Sequence, residues 1–170
     1  MLPPAVALGN GNGEDALPDV VTENPTSGQT VTFEFSNKNR HVVVLDDVVL
    51  SATDTINMEV RRTSDSVWEQ GATAYRWSNI VQSGSNLPIN RANWPIELFP
   101  AGLNPVSGTI WITSGGLAVP TSMMGRAWNA TGSQVMTGFM NDENLHDRVR
   151  LIIAGAATFS SGTAYMIRMQ

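Results

Sequence analysis

Chemistry in this chain would have to rest on few residues. It has two histidines, His41 and His146, and no cysteine, which excludes disulfides, thiolate metal sites and thiol nucleophiles together. His41 opens the apolar run Val42-Val43-Val44-Leu45 and reads as a packed, hydrogen-bonded side chain rather than a general base. His146 closes the segment Asn141-Asp142-Glu143-Asn144-Leu145-His146-Asp147, the densest set of oxygen ligands in the chain. That segment lacks the glycine that lets a Ca2+ loop turn sharply, and a carboxylate-rich connection between strands is ordinarily just solvated, so neither a metal nor a cofactor is expected. Asp46 and Asp47 are adjacent on a strand and point to opposite faces, which is wrong for a shared acid/base pair and right for a bulge or strand end. No Gly-x-Ser-x-Gly elbow, phosphate-binding glycine loop or His-Glu-x-x-His helix occurs. No catalytic residue is assigned, and the chain is expected not to be an enzyme.

Five tryptophans, Trp68, Trp77, Trp94, Trp111 and Trp128, are many for 170 residues. Their expected use is packing in the core or at a subunit interface, with stacking on sugar rings as the alternative. The eight methionines, among them Met123, Met124, Met136, Met140, Met166 and Met169, point the same way, toward adaptable packing. The Asn129-Ala130-Thr131 sequon is expected to stay unmodified.

These side chains must be carried by strands. Val31, Phe33 and Phe35 alternate with polar residues, as do Ile56, Met58 and Val60, the pattern of strands with one buried face. Arg40 to Leu45 contains the β-branched run Val42-Val43-Val44 and predicts a central strand covered on both sides. Further strands are expected at Gly108 to Thr113, with Ile110 and Ile112 on one face, and at Gly125 to Ala130, Val135 to Met140, Arg148 to Ala154 and Ala164 to Met169. Ala72 to Ile80 is expected to form at most a turn or two of helix. Gln82 to Pro105, with four prolines, is expected to be a long connection over one end of the domain. Seven to nine strands with almost no helix predict an all-β fold, an antiparallel β-sandwich or jelly roll over residues 29 to 170.

Residues 1 to 28 are different. They hold four prolines and the repeat Gly9-Asn10-Gly11-Asn12-Gly13, which favour extended backbone, so this segment is expected to be an N-terminal arm. Val6, Leu8, Leu17, Val20 and Val21 are too apolar for a solvated linker and are the expected partner-binding residues. A neighbouring subunit is the preferred holder of the arm, and its own domain is the alternative.

Net charge is −5, and the arm contains Glu14, Asp15, Asp19 and Glu23 without a Lys or Arg, leaving ten basic against eleven acidic residues in the rest. Nothing here forms a basic stripe, so nucleic acid is not an expected partner. Apolar runs are too short to span a bilayer and the first residues lack a secretory signal pattern, so membrane association is not expected and folding in a host cytoplasm is. Charged residues make up only 15% of the chain, against about 25% in an ordinary domain, and nine of the ten cations are arginine, the cation better suited to packed interfaces.

Several segments, taken in order, resemble a type of tailed-phage virion structural protein. They are Asn39-Arg40-His41-Val42-Val43-Val44-Leu45-Asp46-Asp47-Val48, then Ala52-Thr53-Asp54 and the strand Ile56 to Arg62, then Arg62-Thr63-Ser64-Asp65-Ser66 and Gly71-Ala72-Thr73-Ala74-Tyr75-Arg76-Trp77. The closing pair Arg148-Val149-Arg150-Leu151 and Ser161-Gly162-Thr163-Ala164-Tyr165-Met166-Ile167 fits the same pattern. The likeness covers about residues 29 to 82 and 145 to 170. This chain departs from the pattern at Ser51, where a proline is usual, and at Ser66, where a glycine follows the aspartate. The resemblance implies a non-enzymatic structural protein of a bacteriophage particle, and it carries over no catalytic residue. Within that class the expectation is a capsid decoration (cement) protein that bridges the major capsid protein or other virion proteins. It is expected to be a homo-oligomer, guessed a trimer, with a carbohydrate- or receptor-binding tail or fibre component as the alternative.

Overall fold

The computed structural model describes residues 20–23, 28–35, 40–81, 84–91, 94–96, 104–113, 120–142 and 144–169. Within them every regular element is a strand, and two antiparallel sheets face each other as a β-sandwich. Twelve strands are present: β1 (Val20–Glu23), β2 (Thr30–Glu34), β3 (Arg40–Leu50), β4 (Ile56–Arg62), β5 (Tyr75–Val81), β6 (Gly84–Arg91), β7 (Trp94–Ile96), β8 (Val106–Thr113), β9 (Ser122–Asn129), β10 (Gly132–Met140), β11 (His146–Ile153) and β12 (Phe159–Met169). The large sheet runs β1-β12-β3-β8-β9-β10-β5-β6, and the small one β2-β11-β4-β7.

Period-two patterning accounts for the core. Phe33, Ile56, Met58, Val60, Ile110 and Ile112 are buried where alternation puts them, and with Val43, Leu45, Met136, Leu151, Phe159 and Met166 they form one cluster between the sheets. Each fully buried aliphatic or aromatic side chain of this size contributes about 1.5–3 kcal/mol. β3 is central, as expected, between β12 and β8.

Two expectations are corrected. The Gln82 to Pro105 stretch contains β6 and β7, and Ala72 to Ile80 is a turn leading into β5. Prolines argued against strands there, but β6 and β7 are the edge strands of their sheets, where a missing N–H breaks no ladder between two neighbours. In β5 the aromatic Tyr75 is wholly buried, so tertiary packing outweighs the weak helical tendency of Ala72 to Ala74.

The Asp46-Asp47 pair is a bulge: register shifts between Leu45 and Val48, and Asp47 has φ 50. Opposite it, Gly162 has φ +99, and a Cβ there would collide with the Asp47 and Val48 backbone. Ser66, at the position where the resemblance has glycine, adopts φ 59, the left-handed conformation that glycine enters most easily. Asn129 Oδ1 accepts from the Thr131 and Gly132 N–H groups and so closes the β9–β10 hairpin.

The sheet begins inside the segment assigned to the arm. β1 pairs with β12, Val20 opposite Ile167 and Val21 opposite Met166, and Val21 packs against the core. Val6, Leu8 and Leu17 lie outside the described residues.

Candidate functional site

The two outer faces of the sandwich are chemically opposite. On the small sheet, polar residues expected to meet solvent are buried instead: Glu59 is 3% exposed and Asn57 also is covered. The Val67 to Gln70 segment folds back along β4, with a bridge between Arg61 and Trp68. Glu59 accepts from Arg150 Nε at 2.8 Å and from Gln70 Nε2 at 3.1 Å, and the Arg150 guanidinium sits 4.2 Å from the centre of the Trp68 ring. Arg148 pairs with Glu34 and Arg61 with Asp147. The hydrogen bond that Arg61 donates to Asp147 raises the Arg61 pKa above its ordinary value. Charges on this face are matched.

On the large sheet the outer face carries large apolar side chains among serines, threonines and arginines. Cross-strand register puts Val20 beside Ile167, Val42 beside Trp111, Trp111 beside Met124, Arg126 beside Val135 and Phe139 beside Arg76. Seven side chains of this face, Val20, Trp111, Met124, Trp128, Val135, Phe139 and Met169, are each 40% to 58% exposed. Val42 points the same way yet is covered, because Trp111 and Ile167 flank it on both neighbouring strands. Arg40, Arg76 and Arg126 project from this face, and among the described residues no carboxylate pairs with them. Arg76 instead lies 6.0 Å over the Phe139 ring. A shallow pocket of about 260 Å³ opens between Arg40, Trp111, Thr113 and Met124. Scattered exposed apolar residues are normal, but a contiguous set on one sheet face marks an interaction surface.

This surface was legible only in part. Trp111 and Trp128 do not enter the core, so the core-packing half of that expectation fails for both, and the side chains of Trp77 and Trp94 lie outside the described residues. The available signal was that β8, β9 and β10 are apolar at both parities, as in Ile110-Trp111-Ile112, Met123-Met124 and Val135-Met136. Of the methionines, Met123, Met136, Met140 and Met166 are in the core, while Met124 and Met169 are outside.

The second feature is a polar cluster at one end of the sandwich. His41 is not part of it: that ring is wholly buried, 4.6 Å from Phe35. His146, 1% exposed, shares a 3.0 Å hydrogen bond between Nδ1 and Thr121 Oγ1, and its Nε2 lies 3.8 Å from Asp142 Oδ1. Glu69, which the sequence did not single out, joins them, and one ligand atom from each residue lies within 4.8 Å of the others. Burial pushes the Glu69 carboxyl up, against Arg62 and with Asp142 and Asp65, and pushes the His146 imidazole down, against Asp142 and Asp147 and with Arg62. Asp147 belongs instead to the Arg61 pair, and Glu143 lies outside the described residues. Tyr75, on β5, reaches across to this end. Its hydroxyl accepts from the Val60 N–H at 3.0 Å and donates to the Glu69 carbonyl at 2.9 Å.

No family model matches the chain, and no curated protein matches it. Among solved structures it is similar to a human SPRY domain (12% identity, 94% of this chain and 97% of that one, TM-score 0.34). It is also similar to scytalido-glutamic peptidase bound to a peptide-based transition state analog (13% identity, 84% and 74%, TM-score 0.33). A third is the CBM2 module of the evolved Dit of Lactobacillus casei BL23 phage J-1 (8% identity, 83% and 69%, TM-score 0.24). At these TM-scores none of the three bears on the chemistry of either site.

Proposed function

We propose that this chain is a non-enzymatic virion structural protein, a capsid decoration protein that docks through the outer face of its large sheet and bridges neighbouring subunits. One observation carries the reading: seven half-exposed large apolar side chains share that face with three arginines that no carboxylate among the described residues pairs. Apolar contact supplies the driving force there, at about 25 cal/mol per Å². Arginines that no described carboxylate engages supply directional contacts to carboxylates of a partner. The opposite face, with its charges already matched, is the one suited to solvent.

The arm supports assembly into a homo-oligomer. It leads into β1 at Val20, on the edge of the same sheet, and brings Glu14, Asp15 and Asp19 with Val6, Leu8 and Leu17. That composition complements an apolar face bearing Arg40, Arg76 and Arg126, so the arm of one copy lies on the face of the next.

Sedimentation velocity of the full chain, alone and with empty capsids of its phage, tests this against the double variant Met124→Asp/Val135→Asp. The wild type should be oligomeric and cosediment with shells, and the variant should stay folded and lose both. A monomeric wild type that ignores shells, or a variant that binds them undiminished, overturns the proposal.

Trp111 and Trp128 favour a second reading, a sugar-binding tail or fibre component, because two half-exposed indoles on neighbouring strands form a stacking platform. Glycan-array binding lost on Trp111→Ala would favour it over decoration.

A further inference from the structure

We propose that Glu69, Asp142 and His146 bind one divalent transition-metal ion, of the class of Zn2+, which clips the two sheets together at one end of the sandwich.

His146 is the strongest part of the case. It is almost wholly buried, and its Nε2 has no hydrogen-bond partner while Nδ1 is held by Thr121. That division of labour is the one a metal-ligating histidine has, one nitrogen on the ion and the other fixed by an outer partner. Protonating Nε2 does not resolve its isolation, since Asp142 Oδ1 at 3.8 Å is beyond hydrogen-bond reach. Left unprotonated, Nε2 faces two carboxylates as a third electron-pair donor, an arrangement that a cation between them relieves.

Glu69 presents the second unsatisfied atom. Its Oε1 is buried and makes no hydrogen bond. Arg62 Nε lies 3.4 Å from it, in ion-pair range only, and has a closer partner in Asp65 Oδ1 at 3.0 Å, so Arg62 can release Glu69 to an ion. Asp142 Oδ1 accepts from the Asn144 N–H at 3.2 Å and keeps a lone pair for the cluster. The Asp142 side chain is 32% exposed and leaves a path from solvent.

Donor chemistry selects the ion. One imidazole nitrogen with two carboxylates suits Zn2+ and its first-row neighbours, whereas Ca2+ takes six to eight oxygens. Zinc–ligand bonds of about 2.0–2.2 Å put tetrahedral ligands roughly 3.4 Å apart, so the 3.8 Å between His146 and Asp142 contracts by less than half an ångström. The fourth position is left for water. The ion would join the β4–β5 connection, the β10–β11 connection and the first residue of β11, doing in a cysteine-free chain what a disulfide does elsewhere.

The test is calorimetric titration of ZnCl2, with MgCl2 and CaCl2 as controls, into tag-free full-length protein stripped with chelator, with native mass spectrometry for stoichiometry. One Zn2+ per chain is expected, with Asp142→Asn and Glu69→Gln each weakening binding by about 100-fold or more, and Thr121→Val by about 10- to 100-fold. His146→Ala should abolish binding. If that buried change prevents folding, Asp142→Asn, at a partly exposed loop position, keeps the question open to measurement. Absence of Zn2+ binding to the wild type at micromolar concentration, or wild-type affinity in Asp142→Asn and Glu69→Gln together, overturns the proposal.

Discussion

Tyr75→Phe removes one oxygen atom and should cost this fold about 2–3 kcal/mol. The ring is wholly buried and stays, so no cavity larger than a hydroxyl forms. What is lost is a link from β5 to β4, through the Val60 N–H at 3.0 Å, and to the β4–β5 connection, through the Glu69 carbonyl at 2.9 Å. Among the described residues β4 pairs with β7 only from Ile56 to Met58, and the Tyr75 hydroxyl accepts from the Val60 N–H as a neighbouring strand's carbonyl would. A buried N–H left unsatisfied costs about 1–3 kcal/mol, and the second hydrogen bond adds about 1 kcal/mol, less a small gain from burying a more apolar ring. Burial pushes the phenol far above the ordinary tyrosine range, so the hydroxyl remains a donor at any working pH. For a chain of this length, each kcal/mol moves Tm by roughly 2–4 °C, which gives a fall of about 4–12 °C. Urea unfolding followed by circular dichroism should show a lower midpoint at unchanged slope. A change below about 0.5 kcal/mol, the level of an indifferent surface substitution, would refute the claim that this hydroxyl fastens β4 and Glu69 to β5.

The small sheet offers a contrast between buried and exposed ion pairs. Glu59→Ala strands the Arg150 guanidinium and should cost about 3–5 kcal/mol, while Arg148→Ala breaks the more exposed pair with Glu34 and should cost under about 1 kcal/mol, both read from denaturant midpoints. The glycines offer another: Gly162→Ala places a Cβ against the Asp47 backbone at φ +99 and should prevent stable folding, whereas Gly28→Ala, at φ +79 with nothing within 4 Å, should cost only about 1–2 kcal/mol. Thermal melts of the two variants check this, and equal Tm values would remove the steric argument.

Strand positions were readable because alternation reports which face is buried: Val31, Phe33 and Phe35, or Ile56, Met58 and Val60, have one burial solution each. Four strands, β1, β5, β6 and β7, were missed, the last two because local chemistry misleads at sheet edges, where Pro88 and Pro95 are tolerated. The outer faces were harder to read. Glu59 looks like a solvent residue until Trp68 and Gln70 fold over it, and that cover comes from a turn with no periodic signal. Trp111 looks like core because tryptophan usually is, yet its alternation with the buried Ile110 and Ile112 turns it outward. Asp142 and His146 stood out as a pair in sequence, but Glu69 joins them from about 75 residues away, a separation that no local spacing rule spans.

If the arm of one copy lies on the large sheet of the next, assembly must depend on salt in a particular way. Arg40, Arg76 and Arg126 project from the face, and Glu14, Asp15 and Asp19 precede β1. Those pairs are solvent-accessible, and the screening length falls from about 10 Å at 0.1 M salt to about 3 Å at 1 M. Each exposed pair is worth at most about 1 kcal/mol, so three together shift an association constant by roughly two orders of magnitude, since about 1.4 kcal/mol is tenfold. Apolar contacts with Trp111, Met124 and Val135 respond oppositely or not at all, because salt does not weaken burial. The full chain should therefore dissociate partly between 0.1 and 1 M NaCl, as followed by sedimentation equilibrium. A variant lacking residues 1–19 should associate more weakly at low salt and lose that salt dependence, while Arg126→Gln should lose part of it. A truncated chain with the same association constant and the same salt response as the full one would leave the arm no role on this face.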